Sequence, residues 1–152
     1  MSDWRDVLSS PVHLAVRFVT SLPPGPPDVR DEIWAEDHLL PGELALWRRM
    51  SNQDRRHSVQ VAKRFVRRRG GATRSEVAGA LLHDVGKVQC RLGTFGRVAA
   101  TLLGRRTWRF SAYHDHEEIG ADLAVLAGSD PVTAELIAGR GPAYPDLRHS
   151  DH

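Results

Sequence analysis

Little in this chain can hold it together covalently. It has one cysteine, Cys90, among 152 residues, so no internal disulfide can form and a cysteine-rich zinc site is excluded. Aromatic residues make up only 7% of it, and Trp34, Trp47 and Trp108 read as core or half-buried anchors rather than as ligand-stacking residues. No apolar run approaches the ~20 residues needed to cross a bilayer. The opening Met-Ser-Asp-Trp-Arg-Asp lacks the basic-then-apolar pattern of a signal peptide. The expectation is a cytoplasmic protein with no membrane partner. Strands, hairpins and internal repeats are not discernible either.

Charge is nearly balanced. The formal net charge is +2, too small to indicate a polyanion partner although the pI is about 9.1. The basic run Arg67-Arg68-Arg69 falls at the expected end of a helix, where cations meet the negative pole of the macrodipole. No aromatic residues interleave with it, which argues against a nucleic-acid partner.

What is present is helical periodicity with clear punctuation. Hydrophobic residues are 41% and charged residues 26% of the chain, ordinary for a globular protein. A helix is expected over 11–21, followed by the Pro-rich connector Pro23-Pro24-Gly25-Pro26-Pro27, which no helix can cross. Short helices are expected over 29–37 and from Pro41. Ser51 is the N-cap of a longer one reaching about Arg69, with Val59, Ala62, Phe65 and Val66 on one stripe and Gly70-Gly71 as its stop. Thr73 and Glu76 form a capping box, and the helix they open is apolar almost all round, so it should be central and reach Gly86. Further helices are expected over 94–109, over Glu117–Leu126, and from the Asp130-Pro131 start to about Ala138. The fold class is all-α, one domain of six or seven helices: residues 1–28 form an N-terminal helix and connector, 41–138 the core, and 139–152 a tail of undetermined structure.

The polar residues of the most apolar helix carry the chemistry. His83 and Asp84 follow Ala80-Leu81-Leu82, and a buried charge is costly unless it is paired or binds a metal. Metal ligation would satisfy imidazole and carboxylate together. His57 lies near the start of the preceding helix. Two antiparallel helices joined by a Gly turn would bring that start beside the end that carries His83.

Arg56-His57-Ser58-Val59, Leu81-Leu82-His83-Asp84-Val85-Gly86-Lys87 and His116-Glu-Glu-Ile-Gly-Ala-Asp-Leu123, in that order and spacing, resemble the HD superfamily of metal-dependent phosphohydrolases. The resemblance spans about residues 41–130. It implies an all-α HD-domain bundle and one divalent metal ion (Mn, Fe, Co, Ni, Zn or Mg). His57, His83 and Asp84 would be ligands, with a downstream Asp completing the set. That Asp would be Asp151, with Asp146 as the alternative. Asp84 and Lys87 would be catalytic, while Lys87, Arg56 and His116 would meet a phosphorylated small molecule, with nucleotides among the candidates. One departure stands out. Where many relatives carry a His-His pair, this chain reads Ala138-Gly139-Arg140-Gly141, which argues against a two-metal centre. The alternative function is a catalytically weak or inactive HD module that binds a nucleotide or a protein partner.

Overall fold

The computed structural model describes residues 25–87 and 115–152. The expected helices over 11–21 and 94–109, and Trp108, lie outside the described residues. Among those described there are seven α-helices and no strand: α1 Val29–His38, α2 Pro41–Arg49, α3 Asn52–Arg69, α4 Arg74–Leu82, α5 Asp115–Leu126, α6 Pro131–Ile137 and α7 Tyr144–Ser150. None of them is long and apolar enough to cross a membrane.

Local chemistry sets most boundaries. Ser51 caps α3 by accepting from the Asp54 amide at 3.1 Å, and Gly70 ends it with φ 61°, a left-handed conformation that suits a residue without Cβ. Thr73 accepts from the Glu76 amide while Glu76 Oε2 accepts from the Thr73 amide, the reciprocal capping box that opens α4. Pro41 and Pro131 each stand in a first helical turn.

α4 is the centre of the molecule. Every residue from Glu76 to Leu82 is buried, and α3, α6, α1 and α2 pack around it. Burying a Leu side chain contributes about 1.5–3 kcal/mol, so Leu81 and Leu82 together make this helix a strong organiser of the fold. α5 packs on α6, and α7 lies along α3. The core runs continuously from Ala35 on α1 to Leu147 on α7.

One expectation is corrected. The central helix stops at Leu82 rather than at Gly86. His83 and Asp84 occupy a turn, and Val85–Lys87 form a single 3₁₀ turn. The reason is packing at Gly86. A Cβ there would lie 1.9 Å from the His116 carbonyl oxygen and 3.1 Å from the Gly120 nitrogen, so the backbone must bend onto α5 at that point. Asp130 stands at the N-cap of α6 but makes no capping bond. Its carboxylate is taken instead by Arg74 (2.8 Å) and Ser75 (2.5 Å) on α4.

Candidate metal centre

The antiparallel pairing of α3 and α4 sets the first half of the site. His57 lies in the second turn of α3 and His83 immediately after α4, and their ring centroids are 5.9 Å apart. The tail supplies the rest. Asp151 follows the last residue of α7, its amide donating to the Leu147 carbonyl at 3.1 Å, and its Oδ1 lies 2.8 Å from His57 Nε2 and 3.3 Å from His83 Nε2. One ligand atom from each of His57, His83 and Asp151 falls within 4.8 Å of the other two.

The polarity of His83 is the telling detail. Its Nδ1 donates to the Ala80 carbonyl at 2.7 Å, which in a neutral ring leaves Nε2 as a bare lone pair. That Nε2 is buried and has no aligned hydrogen-bond partner among the described residues. It faces Asp151 at 3.3 Å and Asp84 Oδ2 at 3.5 Å. A lone pair between two carboxylates is repulsive unless a cation stands among them, either a proton on the ring or a metal ion. A ligating His held through its other nitrogen by a backbone carbonyl is a usual arrangement in metal sites. The residues present therefore fit a divalent ion.

Without a metal the protonated ring is the remaining way to relieve the repulsion. Burial pushes the His83 imidazole toward its neutral form, but the carboxylates of Asp151, 3.3 Å away, and Asp84 outweigh it, and the net shift is upward. Asp151 is driven well below the ordinary carboxylate range, above all by the His83 ring beside it and against the cost of burial.

His83 is the inner wall of the site, its side chain 10% exposed, whereas His57 at 40% and Asp151 at 36% open toward solvent. Asp84 stands outside the three-ligand group, its Oδ2 held by Lys87 Nζ at 2.9 Å. Burial lowers the Lys87 pKa, but Asp84, with Asp54 and Asp151 further off, raises it on balance. Lys87 thus sits in a negative field, and Arg56 is exposed on α3 beside His57. His116 begins the second residue of α5. Its carbonyl is pressed against Gly86, and its Nδ1 is buried without a hydrogen-bond partner among the described residues.

Asp146, the alternative ligand, is turned elsewhere. It accepts from Arg68 and Arg69, each at 3.2 Å. Two contributors gave no signal in the sequence. The Ala80 carbonyl, which fixes the His83 tautomer, belongs to a residue with no polar side chain. Asp54 reads as an ordinary first-turn acid and becomes part of the Lys87 environment only through the fold. Comparison of the chain with family models, with curated proteins and with solved structures gives no match.

Proposed function

We propose that this chain is an HD-type metal-dependent phosphohydrolase acting on a phosphate ester, with nucleotides the first substrates to try. The observation that carries the reading is the buried His83 Nε2, without an aligned hydrogen-bond partner among the described residues, between the carboxylates of Asp84 and Asp151. His57, His83 and Asp151 would hold the ion, with Asp84 as the neighbouring fourth ligand. Imidazole and carboxylate donors suit Mn, Fe, Co, Ni or Zn better than Ca, and Mg remains compatible with the carboxylates. When bound, such an ion polarises a phosphoryl oxygen and makes water a better nucleophile at neutral pH.

The chain's own residues supply the rest. Asp84, 3.5 Å from His83 Nε2 and not among the three mutually close ligand atoms, is suited to orient water or accept its proton. Lys87 and Arg56 offer positive charge to a phosphate, Lys87 as a point charge and Arg56 as a fork of donors. His57 and Asp151, half-exposed, leave one side of the site open to a substrate.

The deciding experiment is metal analysis followed by a screen of nucleotides and simple phosphate esters. The reading expects a bound divalent metal, and phosphate release lost by a factor of at least about 100 in His83→Ala and Asp84→Ala. Full activity in Asp84→Ala would sink it. The Lys87–Asp84 ion pair favours a second reading, because it occupies the carboxylate that catalysis needs. In that reading the chain is a metal-carrying module without turnover that binds a nucleotide or a protein partner. Bound metal, nucleotide affinity and no phosphate release across the panel would select it.

A further inference from the structure

α7 has seven residues, too few for a helix to hold its shape by itself, yet it carries Asp151 to the two histidines. Its seat is partly apolar, with Ala143 and Leu147 buried. Its ion pairs to α3 come from one carboxylate. Asp146 Oδ1 accepts from Arg68 Nε and its Oδ2 from Arg69 Nη1, both at 3.2 Å. Arg69 is held in turn by Glu76 Oε1, which accepts from its Nε at 3.3 Å and its Nη2 at 3.0 Å. Glu76 is fixed by the capping box of α4. A single side chain near the start of α7 is thereby joined to both helices that carry the histidines.

We propose that Asp146 is a positioning residue of the metal centre: its ion pairs with Arg68 and Arg69 seat the helix that presents Asp151 to His57 and His83. The inference rests on the metal reading above. The geometry is that of a short lever. Asp146 and Asp151 are five residues apart, about 7.5 Å along a helix, while Arg68 and His57 are eleven apart, about 16.5 Å along α3. The pairing fixes one end of α7 against the far end of α3, and the other end meets His57. Loss of the clamp leaves only the apolar packing of Ala143, Tyr144 and Leu147 and the buried Ser150 to seat the helix, which gives it freedom to rotate or slide, and a ligand oxygen displaced by a fraction of an ångström no longer closes the site. Partly exposed ion pairs contribute little to overall stability. A purely structural clamp would therefore move the melting temperature slightly and leave metal affinity in the folded protein alone.

The test titrates Co(II), a spectroscopically visible divalent ion, into the full chain and its variants, with folding checked by circular dichroism. Asp146→Ala should weaken Co(II) binding by about ten-fold and speed amide exchange over 147–151 in the metal-free protein. Asp146→Glu should recover part of the affinity. Glu118→Ala, which removes the exposed pair with Arg140, should leave it unchanged. Arg68→Gln, at a half-exposed position, provides a milder variant should Asp146→Ala not fold, with a smaller loss in the same direction. Co(II) affinity within two-fold of the unaltered chain in folded Asp146→Ala, or in Arg68→Gln where that is the folded variant, overturns the inference and leaves the metal reading standing. Failure of the unaltered chain to bind Co(II) overturns both.

Discussion

Asp151 Oδ1 lies 2.8 Å from His57 Nε2, although 94 residues separate the two in the chain. The contact joins α7 to α3, and under the proposed metal reading it would give metal ions a direct hold on stability. A ligand bound only by the folded state stabilises it by about 2.7 kcal/mol at a free concentration 100 times Kd. Divalent metal is expected to raise the melting temperature of the unaltered chain, and a chelator to reverse the rise. His57→Ala and Asp151→Ala should each lose most of it. A metal-induced shift of equal size in all three proteins, read by differential scanning fluorimetry, would rule out this centre.

The metal-free protein should also carry a pH signature. The folded-state pKa of His83 is raised, so its contribution to stability is fully present below its unfolded value of about 6.5 and fades as pH climbs through the raised value. Asp151 is lowered, so its contribution is present above about pH 3.9 and fades as pH falls. Together they place the best stability from this pair between about pH 4 and 6.5. Melting temperatures in chelator should decline above pH 6.5, and less steeply in Asp151→Asn. Identical slopes for the two proteins above pH 6.5 would contradict the coupling.

Gly86 leaves no room for a side chain. Its virtual Cβ falls 1.9 Å from the His116 carbonyl oxygen, a backbone atom that cannot swing aside. Gly86→Ala is expected to destabilise the fold by about 3 kcal/mol, at the upper end of overpacking costs. Chemical denaturation measures it. A loss under about 0.5 kcal/mol, the scale of neutral surface changes, would mean that the turn and α5 can separate without consequence.

Glu43 is fully buried, and Arg74 Nη1 bonds its Oε2 at 3.1 Å. Removing the cation from a buried pair costs about 3–5 kcal/mol. The Arg74 side chain is a third exposed, so Arg74→Met should cost less, about 2 kcal/mol. Adding Glu43→Gln to Arg74→Met should return part of the loss, because the uncompensated charge is then gone. A double variant no more stable than Arg74→Met would locate the effect in the Arg74–Asp130 pair instead.

The parts of the fold written in local chemistry were readable from the residues alone. Ser51, Gly70, Thr73 with Glu76, and the two N-terminal prolines act within a few positions of themselves, and the helices begin or end where they stand. The meeting of His57 and His83 followed from the antiparallel pairing of α3 with α4. What was hidden depends on distant partners. The close approach of the His116 carbonyl to Gly86, just beyond the end of α4 at Leu82, is announced by no nearby residue. The failure of Asp130 to cap α6 reflects competition from Arg74 and Ser75, more than fifty positions away. The choice between Asp146 and Asp151 turned on Arg68 and Arg69, whose run read as a helix end and a solvated face.

The bond from His83 Nδ1 to the Ala80 carbonyl has a calorimetric consequence. With Nδ1 committed to the backbone, the additional proton of the charged ring resides on Nε2, the atom a metal must use. Under the proposed metal reading, loading the site would expel whatever proton Nε2 carries into the medium. The heat measured on titration will therefore include the ionisation enthalpy of the buffer, and its slope against that enthalpy, across buffers such as Tris and phosphate at one pH, will count the protons released.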